Sequence, residues 1–265
     1  LHGNGCHHHR LINHQHNTTR RSRLVGTVCV LALSIHVGAQ NTHELRWGLD
    51  VPLVGAPLAL HGAVVLGFGV GVRFHADAGQ LLDRSSVNGF DRVATFHYSE
   101  RSAKASDWLF LGAAACSLAG MVVQQKSDQP LLPVVLAAES FLLTSSITNL
   151  TKELVQRRRP YRYYPDAPAH LHAESESYLS FWSGHTANCA ALTFTTASVL
   201  QRSDLSRNAK TAVWIGAAAV PALMGYLRVR AGRHFPTDVI VGYGVGMGIG
   251  LLVPYMHRKN ITSLN

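Results

Sequence analysis

The chain has 265 residues, of which 47% are hydrophobic and 15% are charged, and its formal net charge is +9. Its basic residues cluster at 20–23, 152–162 and 228–233, beside apolar runs and without interleaved aromatic side chains, which excludes a nucleic acid as the expected partner. The four cysteines show no paired spacing, so neither a disulfide framework nor a cysteine zinc site is expected.

The start of the chain has the pattern of a leader. Residues 1–23 are polar, basic and rich in histidine, without hydrophobic periodicity, which predicts disorder. The segment 24–39 is an apolar stretch that follows a cationic one and ends in small residues, as in a signal peptide; an uncleaved signal anchor is the alternative. Residues 40–258 are then expected to form one membrane domain, followed by a polar tail at 259–265.

Six apolar runs follow the leader. They cover residues 52–74, 108–123, 131–150, 186–200, 211–227 and 237–256. A helix of about 20 residues crosses a hydrocarbon core of about 30 Å. The sequence therefore predicts an all-α, multi-pass bundle of about six transmembrane helices. The polar segment 75–107, with adjacent charges of alternating sign, is expected to be solvated.

Two of these runs contain residues that require a packed neighbour. Glu139 lies within the third run, where a carboxylate is costly unless it is protonated or paired inside a bundle. Gly242, Gly246 and Gly250 are spaced by four residues in the last run, so they share one helix face. Such a face predicts close packing against another helix.

Two polar segments at the ends of runs carry groups that suit a phosphate. Lys152 and Arg159 are seven residues apart and would share one face of a continuing helix. Ser183, Gly184 and His185 directly precede an apolar helix, whose free N–H groups and positive end favour an anion. Gly184 would let the backbone approach an oxyanion closely.

A third segment contributes Arg228, His234 and Asp238. Imidazole is nucleophilic near neutral pH, and an arginine beside it can hold phosphoryl oxygens. Each segment also has a simpler interpretation: basic residues set membrane topology, Ser183 caps a helix, and Asp238 interacts with a helix dipole. The occurrence of all three segments in one chain favours a shared site.

The three segments resemble the signature of a known family. They read Lys152-x6-Arg159-Pro160, Ser183-Gly184-His185 and Arg228-x5-His234-x3-Asp238. This order and spacing resemble the K-x6-RP, PSGH and SR-x5-H-x3-D motifs of the type 2 phosphatidic acid phosphatase (PAP2) superfamily, over about residues 50–257. Trp182 stands where the motif has Pro, and Leu227 where it has Ser.

The resemblance implies a metal-independent hydrolase that needs no cofactor and works through a phosphohistidine. His234 would attack phosphorus, Asp238 would orient its imidazole, and His185 would protonate the leaving oxygen. The residues implied in phosphate binding are Lys152, Arg159, Arg228, Ser183 and Gly184. The implied substrate is a lipid phosphate or an isoprenoid diphosphate, such as phosphatidic acid or undecaprenyl diphosphate.

The resemblance also favours a bacterial inner membrane protein with an extracytoplasmic site. Cleavage after Ala39 followed by six spans would instead turn the three motifs toward the cytoplasm, so the side stays open. A vanadate-dependent haloperoxidase has the same signature, but the membrane spans count against it. A non-catalytic protein that holds anionic headgroups is a third alternative, against which the complete set of reactive residues counts.

Overall fold

The computed structural model describes residues 42–65, 80–125 and 129–259. All of these belong to one compact unit, Gly38–Asn265. The predicted leader at 1–23 and signal segment at 24–39 lie outside the described residues, as do most of the predicted tail and the later part of the first apolar run. These domain boundaries therefore remain predictions.

Six long helices lie among the described residues. They are α1 (Trp47–Val65), α2 (Glu100–Val123), α3 (Leu132–Val155), α4 (Gly184–Leu200), α5 (Arg207–Arg230) and α6 (Pro236–Met256). The described part of each predicted apolar run falls on one of them. Short helical segments lie between the long ones: Arg84–Ser86, Gly89–Arg92, Val93–Phe96, Pro160–Tyr163, Ala169–Ala173 and Ser175–Tyr178. The predicted all-α fold is confirmed.

Four helices, α2, α3, α5 and α6, are long and apolar enough to cross a membrane. Helix α1 contains a shorter apolar stretch, Trp47–Leu60. Helix α4 has 17 residues, which correspond to about 25 Å and fall short of a hydrocarbon core of about 30 Å. The chain is thus a multi-pass membrane bundle, with four full-length spans among the described residues where the sequence predicts about six.

Helix α4 is the centre of the bundle and contacts α2, α3, α5 and α6. Nearly all of its side chains are buried. Its hydroxyl groups form hydrogen bonds with its neighbours: Thr195 pairs with Ser140 of α3 at 2.7 Å, and Thr193 donates to the Ala217 carbonyl of α5 at 3.1 Å. Such bonds help apolar helices to associate where lipid provides no hydrophobic driving force.

The glycine face of α6 packs directly on α4. A Cβ atom at Gly242 would lie 2.7 Å from the Ser183 carbonyl oxygen, and one at Gly246 would collide with the Ala187 backbone. Gly250 meets α4 in the same way. The close packing predicted from the spacing of these glycines is therefore confirmed, and it fixes the first turn of α4 beside the first turns of α6.

The helices alternate in direction, so their termini meet at two ends. At the end that we call the site end, α3 and α5 finish while α2, α4 and α6 begin; there the Ser183 N–H donates to the Asp238 carbonyl at 3.1 Å. At the opposite end, α1 and α3 begin and α6 finishes. An isolated bridge between His43 and Arg258 joins the chain segments there.

Candidate active site

His234 lies at the site end, in the loop between α5 and α6, and is 1% exposed. Its Nδ1 is 2.8 Å from the carbonyl oxygen of Ser180. A carbonyl oxygen only accepts, so Nδ1 carries the proton and the lone pair is on Nε2. Burial, followed by the charges of Arg159, Arg228 and Lys152, holds the pKa of His234 well below its usual value. The imidazole is therefore neutral and nucleophilic at neutral pH.

Asp238 is fully buried in the first turn of α6 and is held by several donors. It accepts from the Phe235 N–H at 2.9 Å, the Ser180 hydroxyl at 2.6 Å and the Arg157 guanidinium at 2.5 Å. Its Oδ2 is 3.7 Å from His234 Nδ1, beyond hydrogen-bond distance. The structure thus places Ser180 between the two residues, with its carbonyl bonded to His234 and its hydroxyl to Asp238.

Arg157 connects this loop to a distant part of the chain. It donates to Asp91 at 2.7 Å and to the Thr237 hydroxyl at 2.8 Å, and its guanidinium stacks 4.1 Å from the centre of the Phe235 ring. Asp91 is 1% exposed. Burial by itself would raise the pKa of Asp91, but hydrogen bonds from Asn88, Arg157 and Thr237 lower it overall.

The expectation of a solvated segment at 75–107 is therefore wrong for Asp91. Alternating charges in sequence do not show which of them finds a distant partner. Only the fold brings Asp91 to Arg157, which is why the sequence interpretation missed both residues. Ser180 was missed for a different reason, because its contact with His234 is made by a backbone carbonyl that any residue could supply.

Both of the predicted phosphate-binding arginines are buried cations. Arg159 is 4% exposed and donates to the Glu176 carboxylate at 2.6 Å and to the Glu176 carbonyl at 2.7 Å. Arg228 is 6% exposed and donates to the Ser106 hydroxyl at 3.1 Å. Its Nε has no hydrogen-bond partner among the described residues. An arginine with a free donor at a site is suited to bind an oxyanion.

The first turn of α4 adds a third cation and a helix terminus. A Cβ atom at Gly184 would lie 3.8 Å from Lys152 Nζ, so the ammonium group lies close to the start of α4. Ser183 is fully buried, and its hydroxyl accepts from the Thr186 N–H at 3.4 Å. The simpler interpretation of Ser183 as a helix cap is confirmed. Its contact with phosphate stays a prediction, as does that of Gly184.

His185 lies at the mouth of the site, where its side chain is 36% exposed. Its Nε2 is 3.0 Å from Oδ1 of Asp107, and the same oxygen is 3.5 Å from Arg228 Nη1. Its ring also packs edge-on against Phe110, with 5.6 Å between the ring centres. Asp107 was not predicted from the sequence, although an acidic residue at the edge of an apolar run is a visible signal.

The structure brings together the eight residues that the sequence predicts for the site. They are His234, His185, Asp238, Lys152, Arg159, Arg228, Ser183 and Gly184. These groups are electrostatically coupled, because the pKa of His234 is lowered by the charges of Arg159, Arg228, Lys152 and His185. The arrangement offers a buried nucleophile, a more exposed second imidazole and three cations, which together fit a phosphoryl group. The catalytic roles assigned to these residues stay predictions.

Comparisons with known proteins agree with this picture. The family model of the PAP2 superfamily matches residues 133–262, which include all three motif segments. Phosphatidylglycerophosphatase B of Bacillus subtilis is 34% identical over 143 residues, which are 53% of this chain and 64% of the relative. The chain thus aligns with somewhat less than two thirds of that relative's length.

A solved structure is also similar, the crystal structure of the first transmembrane PAP2 type phosphatidylglycerolphosphate phosphatase from Bacillus subtilis. It is 25% identical, and the match covers 78% of this chain and 94% of that chain with a TM-score of 0.48. The family model and the curated relative confirm the resemblance that the three motifs indicate. The chain belongs to the PAP2 superfamily.

Proposed function

We propose that this protein is a membrane phosphatase that hydrolyses a lipid phosphate or an isoprenoid diphosphate through a phosphohistidine at His234. The observation that carries the proposal is the convergence of a buried neutral imidazole with Lys152, Arg159 and Arg228 at one end of a membrane bundle. Membership of the PAP2 superfamily supports phosphatase chemistry. The name of the Bacillus subtilis relative supports a phospholipid monoester such as phosphatidylglycerophosphate.

In the first step, the Nε2 lone pair of His234 attacks phosphorus while the bond from phosphorus to the leaving oxygen breaks. His185 donates a proton to that oxygen, so the lipid leaves as an alcohol, or as a monophosphate when the substrate is a diphosphate. Lys152, Arg159 and Arg228 stabilise the negative charge on the equatorial oxygens. No change in oxidation state is involved.

In the second step, water attacks the phosphohistidine and the bond between Nε2 and phosphorus breaks. His185, now neutral, accepts the proton of the water, and inorganic phosphate leaves. The imidazole is positively charged while Nε2 carries the phosphoryl group. The Ser180 carbonyl at 2.8 Å and the Asp238 carboxylate at 3.7 Å are placed to stabilise that charge at Nδ1.

The surroundings of the site support a lipid as the substrate. Trp108 follows Asp107 on α2 and is 73% exposed, and Tyr226 precedes Arg228 on α5 and is 60% exposed. Large exposed apolar side chains beside a polar cluster are suited to acyl or isoprenoid chains at the membrane surface. The headgroup phosphate would then reach the cations while the chains stay in lipid.

The test measures phosphate release by the full chain in detergent with EDTA, from phosphatidic acid, phosphatidylglycerophosphate and undecaprenyl diphosphate. We expect turnover of at least one of them by the wild type, and a loss on the order of 10³-fold or more in His234→Ala, because the nucleophile is absent. His170→Ala is the matched control, since His170 is exposed and outside the site. Full turnover by His234→Ala would overturn the mechanism.

We also propose that the site faces the outside of a bacterial inner membrane. Tyr164 lies in the connection at the site end, and Ser203 follows α4 at the opposite end. In a variant without native cysteines, Tyr164→Cys should react with a membrane-impermeant thiol reagent in intact cells, and Ser203→Cys should not. The reverse pattern would place the site in the cytoplasm.

A further inference from the structure

The opposite end of the bundle contains a second cluster of titratable groups that the proposed mechanism does not use. Asp50 of α1, Glu139 of α3 and His257, directly after α6, are 6%, 0% and 0% exposed. One potential ligand atom from each lies within 4.8 Å of the other two. Glu139 and Lys152 are separated by about 20 Å along α3, at 1.5 Å per residue, so this cluster is distinct from the catalytic site.

The histidine is held with one nitrogen directed at both carboxylates. His257 Nδ1 lies 2.8 Å from the Val253 carbonyl oxygen, and because that oxygen only accepts, Nδ1 carries a proton. Nε2 lies 2.7 Å from Asp50 Oδ1 and 3.3 Å from Glu139 Oε2. A backbone carbonyl that fixes the tautomer in this way is the usual support of a metal-binding imidazole.

Glu139 is the observation that points to a ligand. Its side chain is fully buried, and neither of its carboxylate oxygens accepts a hydrogen bond from a donor group among the described residues. Its neighbours there are the carboxyl of Asp50 and the imidazole of His257. A buried carboxylate without donors is costly, so such a group normally binds a proton or a cation. Leu136 and Val253 belong to the apolar cluster at this end, which keeps the local dielectric low.

The charges around the cluster do not supply that cation. The ion pairs of Asp50 and Glu139 within the described residues are both with His257. Arg46 binds Glu44 and two backbone carbonyls. Arg258 stacks on the Tyr255 ring, and no ion pair joins it to Asp50 or Glu139 among the described residues. Two carboxylates therefore face a single imidazole.

We propose that Asp50, Glu139 and His257 form a structural binding site for a divalent metal ion of the zinc class. One imidazole nitrogen and two carboxylate oxygens are ligands that Zn²⁺ accepts, and its two positive charges balance both carboxylates. Ligands of a tetrahedral zinc are about 3.4 Å apart, so small side-chain rotations are enough to admit the ion. The ion would tie α1 and α3 to the end of α6.

The test compares metal binding by the full chain and its Glu139→Gln variant after treatment with EDTA. Each sample receives Zn²⁺, Mn²⁺ or Mg²⁺, excess metal is removed by gel filtration, and bound metal is measured by mass spectrometry. The histidine tract at 1–16 can bind metal in both proteins. The difference in bound metal between the wild type and Glu139→Gln therefore reports on the cluster alone. We expect about one more Zn²⁺ per chain in the wild type than in the variant.

Thermal stability gives a second, independent measurement. Zn²⁺ should raise the melting temperature of the wild type and leave that of Glu139→Gln unchanged, because only a folded cluster binds it. Glu153→Gln is the matched control, with the same chemical change further along α3, and it should behave as the wild type does.

Equal zinc binding by the wild type and Glu139→Gln would overturn the proposal and leave a proton shared within the cluster as the explanation. So would a wild-type melting temperature that does not respond to zinc. Phosphate release in the same samples reports on His234 separately, so failure of the phosphatase proposal and failure of the metal site are distinguishable.

Discussion

At each end of this bundle a buried imidazole lies among charged groups, which are mainly cations at one end and carboxylates at the other. At the site end, Lys152, Arg159 and Arg228 surround a neutral imidazole. At the opposite end, Asp50 and Glu139 surround another imidazole. Uncompensated buried charge is costly, so its sign indicates the charge of the ligand that the site is built to receive. The comparison points to an anion at one end and a cation at the other.

The two ends also differ in whether their buried carboxylates accept hydrogen bonds. Asp238 accepts hydrogen bonds from Arg157, Ser180 and Phe235, so it belongs to the framework of the site. Glu139 accepts none from the described residues. A fully satisfied carboxylate fixes the position of its neighbours, whereas an unsatisfied one is available to a ligand.

The largest effect after loss of the nucleophile is expected for Arg157→Ala. The change leaves Asp91 and Asp238 buried without their shared cation, which costs on the order of 3–5 kcal/mol for a buried pair. We expect kcat to fall by roughly 10²-fold while KM changes little, because Arg157 positions the loop of His234 and does not touch phosphate. Steady-state kinetics in detergent measure both constants.

Arg158→Ala is the control for Arg157→Ala. The two residues are adjacent and carry the same charge, but Arg158 is exposed and lies near the Tyr178 ring. Arg157→Lys should recover part of the activity, since it restores the charge but not the two-sided contact with Asp91 and Asp238. Equal kcat values for Arg157→Ala and Arg158→Ala would show that Arg157 does not position the loop of His234.

An intermediate effect is expected from His43 at the opposite end. Burial, followed by the charges of Arg202, Arg258 and His257, lowers the pKa of His43 to about 4. In the unfolded chain His43 binds a proton below about pH 6.5, whereas in the folded protein it stays neutral down to about pH 4. The free energy of unfolding is therefore unaffected by His43 above pH 6.5 and decreases as the pH falls toward 4. At pH 5 the loss is on the order of 2 kcal/mol.

Melting temperatures at pH 7.5 and pH 5 test this expectation. The decrease between the two values should be smaller in His43→Gln than in the wild type, because glutamine does not titrate. His170→Gln is a suitable control, since His170 is exposed. Identical decreases in His43→Gln and the wild type would show that other groups control the acid sensitivity.

The smallest effect is expected for Asp107→Asn. Burial and the charge of Arg228 lower the pKa of His185 to about 4, and the charge of Asp107, 3.0 Å away and 59% exposed, opposes that shift. Without that charge, the alkaline limb of the pH–rate profile should shift to lower pH, and the rate at pH 8 should fall by no more than about 10-fold. Asp166→Asn, an exposed carboxylate outside the site, is the control. An unchanged profile would separate Asp107 from proton transfer.

Much of the site was predictable because its residues belong to short segments with fixed spacing. Arg228, His234 and Asp238 lie within eleven residues of one another, and the end of a helix fixes where they point. The contact of Gly242 and Gly246 with α4 was also predictable, since a spacing of four residues defines one helix face.

Other contacts could not be predicted, because they join residues that are far apart in sequence. The pairs Arg157–Asp91 and His185–Asp107 are of this kind. Ser180 was hidden for another reason, since the group that meets His234 is its backbone carbonyl. A contact made by a backbone group does not depend on the residue type, so the sequence does not indicate it.

The sequence by itself determined the helical class, the membrane setting and the candidate site residues, since hydropathy, helix periodicity and motif spacing are local properties. Only the tertiary structure decided which charges are compensated. It paired Asp238 with Arg157, capped α4 with Ser183, and left Glu139 facing His257 at the other end of the bundle. Compensation depends on distances through space, and in a helical bundle these are set by which helix faces meet.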